Sequence, residues 1–213
     1  MTPSEIAKIP QPIIDKLVEK FHDINTHHDW WDSTYEAFTH DMKVVGIDVD
    51  KMYFSGFWSQ GDGACFEGSV KDWELMLQSI GYTDPVLVKF AQDNWTFTST
   101  QTGRYYHSNC MRFNDPLEGT GETEEWLIGV YGPEQDDDDL RNHVWAAKLK
   151  QFDFEQIRNE LCEAFKSHAD DLYKMLEEEY EFLTSEECIL ESLNANDMLE
   201  DEVKQLTEES EDA

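Results

Sequence analysis

The sequence is short of positive charge. It has 16 Lys and Arg against 47 Asp and Glu in 213 residues, a formal net charge of −31, and its pI is near 4.2. With no basic footprint to neutralise phosphates, direct binding to nucleic acid is excluded, and so is an anionic membrane surface. Long apolar runs are also missing. None approaches the ~20 residues that span a bilayer, and the opening Met-Thr-Pro-Ser-Glu-Ile-Ala-Lys lacks the apolar centre of a signal peptide. Cysteine is sparse. Cys65, Cys110, Cys162 and Cys188 show no C-x-x-C spacing, so a zinc site is not expected and free thiols in a reducing cytoplasm are.

Apolar and aromatic residues are not scarce. Hydrophobic residues make up 39% of the chain and aromatics 13%, with seven Trp. That is the composition of a folded domain and not of a disordered chain. The acidity is uneven: residues 1–113 carry 16 acids and 9 bases, and residues 114–213 carry 31 and 7. An ordinary first half thus precedes an acidic second half, which favours solubility and attraction to basic protein surfaces.

Residues 4–22 read as a helix, with Ile13, Ile14, Leu17, Val18 and Phe21 at helical spacing and a stable part that begins near Gln11. Residues 29–43 read as a second helix, with Trp30, Trp31, Thr34, Tyr35, Phe38 and Met42 on one face. The densest pattern runs from Tyr53 to Gly68. A strand region from Val44 to Trp58 meets the turn Gly61-Asp62-Gly63, and Ala64 to Val70 returns. Lys71 to Ile80 reads as a short helix closed by Gly81. Val86 to Phe90 fits helix or strand. Asn94 to Thr100 and Arg104 to Phe113 suggest a hairpin around Gly103. Glu125 to Tyr131 is a short apolar segment, and Leu140 to Leu149 reads as a helix.

Phe154 to Leu183 has the clearest period. Phe154, Ile157, Leu161, Phe165, Ala169, Leu172, Met175 or Leu176, Tyr180 and Leu183 recur every three or four residues. This predicts one amphipathic helix of about 45 Å with a densely acidic outer side. Its apolar stripe is either core or a homodimer seam. Thr184 with Glu187 reads as a capping box for a short helix that ends near Leu193. The expected fold is α+β: a small antiparallel sheet around a central hairpin, packed with N-terminal helices and a long acidic C-terminal helix. The expected organisation is a domain over 1–150, the long and capped helices over 151–196, and an acidic disordered tail over 197–213.

Each candidate for chemistry has a plain structural alternative. Gly61-Asp62-Gly63 lacks the Lys of a phosphate loop, and a tight turn needs the same residues. Asp48, Asp50 and Asp62 do not have calcium-loop spacing and read as solvent-facing. Asp136, Asp137, Asp138 and Asp139 form a like-charge run, usually solvated. His22, His27 and His28 sit close in sequence, with His40 further on, but the adjacent His27 and His28 cannot share one helical face. His107 and Cys110, if on a strand, point to opposite faces. No catalytic residue, cofactor or metal is expected.

Two stretches carry a resemblance. Phe-Ser-Gly-Phe-Trp-Ser-Gln-Gly-Asp-Gly-Ala-Cys-Phe-Glu-Gly (residues 54–68) resembles a signature of an uncharacterised family found in bacteriophages and some bacteria. Residues 179–187 and 191–197 resemble a second signature of that family, with Met198-Leu199 departing from its aromatic continuation. The resemblance spans about residues 45–197 and implies no assigned catalytic residue. A phage-encoded chain would work in the host cytoplasm.

Two functions of different class follow. In the first, the protein is an inhibitory binding protein of phage type. Like a DNA mimic, it occupies a basic, nucleic-acid-binding surface of a host protein through Asp136 to Asp139, Glu163, Asp170, Asp171, Glu177, Glu178 and Glu181. In the second, it is a small enzyme or ligand-binding protein with a pocket at the turn, lined by Trp58, Gln60 and Asp62. A concave pocket at residues 58–63 would favour the second; its absence would favour the first.

Overall fold

The period-two pattern between Ile47 and Val70 builds an antiparallel hairpin in the computed structural model of the protein, which describes residues 1–116 and 147–211. Strand β1 (Ile47–Phe54) pairs with β2 (Ala64–Val70) from Ile47 opposite Val70 to Phe54 opposite Ala64. The register shifts between Val49 and Lys51, which leaves the exposed Asp50 at a bulge. Strand β3 (Thr98–Gln101) adds to β2, and β4 (Met111–Phe113) adds to β3. The described sheet is therefore four-stranded and antiparallel in the order β1-β2-β3-β4. With its helices this is the expected α+β class.

The chain divides into two compact units. One joins residues 1–34 to residues 174–213, and the other is residues 35–173. The division does not follow the organisation expected from the sequence, because the N-terminal helices belong with the C-terminal ones.

The second unit holds the sheet. Helix α3 (Asp32–Val44) leads into it and buries Phe38 and Met42, one turn apart. Trp30 and Trp31 precede α3 and are half-buried, so they are not part of its core face. Helix α4 (Trp73–Ser79) starts at Asp72, whose carboxylate accepts from the N–H groups of Glu74 and Leu75. The ambiguous Val86–Phe90 is part of helix α5 (Pro85–Asn94). Asp84 caps it by accepting from Val86 N–H at 2.8 Å, and Pro85 fills its first position, a pair that settles helix over strand. The hairpin expected around Gly103 is short. Only Met111 to Phe113 pair with β3, and residues 108–110 form a 3-10 turn. Of the two later segments, 125–131 and most of 140–149 lie outside the described residues, and 147–149 are helical.

Helix α6 (Phe154–Leu183) has the bounds its period predicts. Ile157, Leu161, Phe165, Ala169, Leu172 and Leu176 are fully buried, which resolves Leu176 over Met175. Phe165 packs against Phe66, Phe97 and Phe113, with ring centroids 5.2–5.9 Å apart. This stripe is buried within one chain and is part of the core.

The first unit is helical among its described residues. Helices α1 (Pro3–Ile6) and α2 (Gln11–Phe21) pack with α7 (Glu186–Ala195) and α8 (Leu199–Glu211). Ile13, Ile14 and Leu17 meet Ile189, Leu193, Leu199 and Leu206 in one apolar cluster. Burial of a Leu or Ile side chain is worth about 1.5–3 kcal/mol. The chain from Asp197 is thus not a disordered tail: Leu199, Val203 and Leu206 give α8 a buried stripe that its acidity conceals in the sequence. The cap of α7 also differs from expectation. Thr184 Oγ1 donates to Tyr180 C=O at 2.8 Å as part of the preceding turn. Ser185, extended at φ −67 and ψ 152, caps α7 and accepts from Cys188 N–H. Asn25 ties the helix ends together. Its Nδ2 donates to Leu183 C=O at 2.9 Å and its Oδ1 accepts from Ser192 Oγ at 2.6 Å.

Candidate functional site

Two places compete: the glycine turn between β1 and β2, and the acidic helix surfaces. The turn is closed by its own residues. Asp62 Oδ2 accepts from Ser59 N–H at 2.7 Å, and Asp62 N–H donates to Ser59 C=O at 3.0 Å. Gly61 has φ +95, and a Cβ there would overlap the Tyr105 ring. A Cβ at Gly63 would lie 2.6 Å from His107 Cβ. The space above the backbone, where a ligand would rest, is filled by the segment Tyr105-Tyr106-His107. The glycines are needed for this close approach.

Of the three residues expected to line a pocket here, Trp58 is 75% exposed and Gln60 is exposed, while Asp62 is spent within the turn. Three cavities among the described residues lie elsewhere. One of about 480 Å³ is bounded by residues 19–24, His27, Asn196 and Met198. Another of about 350 Å³ lies between α4 and α5, and a third of about 330 Å³ is at the start of α6. None of these three is lined by residues 58–63.

The acidic residues divide between the units. Glu163, Asp170 and Asp171 are exposed on the part of α6 in the sheet-bearing unit. Glu163 is 2.7 Å from Lys166, and Asp171 is 3.9 Å from the ring of His168. Burial holds the His168 imidazole below its usual pKa, and Asp171 pulls the other way. Glu178 and Glu181 are exposed and Glu177 half-buried in the helical unit. Asp136 to Asp139 lie outside the described residues.

Beside those expected, the helical unit exposes Glu186, Glu187 and Glu191 on α7 and Glu200, Asp201, Glu208 and Glu209 on α8. The sequence hides them, because the segment from Asp197 reads as a tail. The heptad-like spacing of Leu199, Val203 and Leu206 is the signal that could have found them.

The helical unit, residues 1–34 and 174–213, carries 21 acidic and 5 basic side chains, a net −16. Duplex DNA carries as much over about 27 Å of axis. A compact chain of that length has a radius of gyration of about 11 Å, or a diameter of about 29 Å as a uniform sphere. A unit of that size thus carries a net charge comparable to that of a similar length of duplex DNA. The sheet-bearing unit, residues 35–173, carries 26 acidic and 11 basic side chains. Its net −15 is spread over nearly twice as many residues.

His107 and Cys110 also differ from expectation. Cys110 ends a 3-10 turn of residues 108–110 and His107 is the extended residue that caps it, so the pair is not on a strand. His107 Nε2 and Cys110 Sγ are 3.8 Å apart. Among the described residues, no group of three or more His, Cys, Asp or Glu could hold a metal ion, and no helix is long and apolar enough to cross a membrane. His22 is hydrogen-bonded to Asp23 at 3.0 Å.

Residues 30–186 match a domain of unknown function, DUF8835. The chain belongs to that family. No curated protein and no solved structure matches it. The family region covers the whole sheet-bearing unit, while α1, α2, α8 and most of α7 lie outside it.

Proposed function

We propose that the protein is an acidic binding protein that occupies a basic, nucleic-acid-binding surface of a host protein, in the manner of a DNA mimic. Its setting would be a phage countering host defence in the host cytoplasm, which the phage-like motif of residues 54–68 suggests. The observation that carries the reading is the net −16 of the helical unit, the charge of about 27 Å of duplex DNA. Its carboxylates stand on helices whose opposite sides are locked into an apolar cluster, so they are presented on a fixed scaffold. Few cations offset them: Lys20 is taken by Glu202, and Lys174 and Lys204 are the two bases of residues 174–213.

Affinity capture from a host-cell lysate, eluted across a salt gradient, tests this. The expected result is a basic partner whose retention falls steeply between low and high salt, as interactions between exposed charges are screened. Retention indifferent to salt would contradict the reading. Charge-neutral Gln and Asn at Glu186, Glu187, Glu191, Glu200 and Asp201 should abolish capture while leaving the helical content unchanged.

A further inference from the structure

The imidazole of His107 is fixed from two sides. Its Cβ rests where Gly63 has no side chain, and the Tyr105 ring stacks on it with centroids 6.3 Å apart and planes within 9°. Held in this way, Nε2 stands 3.8 Å from Cys110 Sγ. The Cys110 backbone is equally fixed. Its N–H donates to His107 C=O at 2.8 Å, and its C=O accepts from Thr102 N–H and Oγ1. His107 Nδ1 is buried and has no hydrogen-bond partner. A proton there would be an orphaned donor, whereas an unfilled lone pair costs less, so the ring proton belongs on Nε2. Nε2–H then points its donor at Cys110 Sγ.

From this geometry we infer that Cys110 is a reactive thiol, with His107 as its thiolate-stabilising donor, and that it takes small disulfides in thiol–disulfide exchange. The Cys110 proton leaves to solvent, to which the half-buried side chain has access. The thiolate, held by the Nε2–H hydrogen bond, attacks one sulfur of the disulfide. One S–S bond forms to Cys110 as another breaks, and the departing thiolate takes a proton from solvent. The thiolate is the nucleophile in such exchange, and its rate follows thiolate character and access.

The other three cysteines lack this arrangement. Cys65 is fully buried, and burial, with Cys110 next in weight, pushes its thiol up to about 12. Burial also raises the Cys162 thiol. Cys188 is raised by burial and by the surrounding carboxylates of Glu191, Glu179 and Glu187.

Oxidised glutathione added to the folded protein at neutral pH, with the adduct mapped to each cysteine by mass spectrometry over time, tests the inference. Cys110 should form the mixed disulfide about tenfold faster than Cys162 or Cys188. His107→Phe, which keeps a ring against Gly63 and Tyr105, should lower the Cys110 rate about tenfold and leave the Cys162 and Cys188 rates unchanged. Should that variant unfold, seen as all four cysteines reacting alike, the wild-type rate order decides, with Cys110→Ser expected to remove the fast phase. Equal rates at Cys110, Cys162 and Cys188, or a His107→Phe rate equal to wild type in a folded protein, would overturn the inference.

Discussion

The two units reach stability by different means. The sheet-bearing unit is built on aromatic packing: Phe165 meets Phe66, Phe97 and Phe113, and Trp95 meets Trp73, Phe90 and Phe154. The helical unit has an aliphatic cluster of Ile and Leu, drawn from Ile9 to Leu17 and from Ile189 to Leu206. It holds that cluster while carrying one net negative charge for every four to five residues. Self-repulsion of this size weakens a compact state, so the helical unit gives up stability that the sheet-bearing unit keeps. Acidity is thus a property of a fold unit and not of a stretch of chain. Divided at residue 113, the sequence hides this, because the N-terminal helices of the acidic unit fall in the half that reads as ordinary.

The difference between the units should be plainest in their two cores. Phe165→Ala should cost about 3–5 kcal/mol, and Leu17→Ala in the helical unit about 2–5 kcal/mol. Denaturant unfolding followed by hydrogen exchange at residues 12–21 and at residues 64–70 should separate them: Leu17→Ala lowers the midpoint at 12–21 more than at 64–70, and Phe165→Ala does the reverse. A single coincident transition in both variants would mean that the units do not respond separately.

Asn25→Ala is expected to cost about 1–3 kcal/mol, since Leu183 C=O and Ser192 Oγ both lose a partner. Hydrogen exchange at residues 184–195 should rise more than at residues 64–70. Gly61→Ala tests the sheet-bearing unit locally. A side chain at φ +95 that also overlaps the Tyr105 ring should cost about 1–3 kcal/mol, read as a lower midpoint in urea; an unchanged midpoint would show the turn to be loose.

The smallest effect is expected at Asp84. The hydrogen bond from Val86 N–H, then the charge of Lys148 at 3.4 Å, hold its carboxyl below the ordinary value of 3.8. A depressed folded pKa contributes stability that is present above 3.8 and lost as pH falls through the lower folded value. Asp84→Asn should therefore narrow its deficit against wild type as pH drops from 6 to below 3, with about 1 kcal/mol for full loss of the cap in Asp84→Ala at neutral pH.

Much of the fold is legible in the sequence where the signal is local. The period of α6 is uninterrupted over 30 residues, and both its ends are found where the pattern stops. The return strand Ala64–Val70 is bounded by Gly63 and by the Asp72 cap, and is read without error. Signals that depend on distant partners are lost. The stripe of α8 has meaning only beside Ile14 and Leu17 of α2, nearly the whole chain away, and its surrounding carboxylates read as a tail. The Asp84-Pro85 pair is a local helix start that outweighs the β-branched residues after it.

The candidate site is legible only in part. Glu163, Asp170, Asp171, Glu178 and Glu181 of α6 are exposed where its period places them, and the turn is where its glycines place it. That Tyr105 and His107 fill the turn from a distant part of the chain depends on the sheet order, which no local pattern encodes. The approach of His107 to Cys110 escapes the sequence because a 3-10 turn stands where a strand is expected.

On the proposed function, this protein and duplex DNA compete for one basic surface. The direct measurement is displacement: the captured partner, immobilised on the protein in low salt, is challenged with rising duplex DNA of arbitrary sequence. DNA is expected to release the partner completely, added salt to lower the DNA needed, and the complex never to hold both at once. A ternary complex of protein, partner and DNA at saturating concentrations would contradict it.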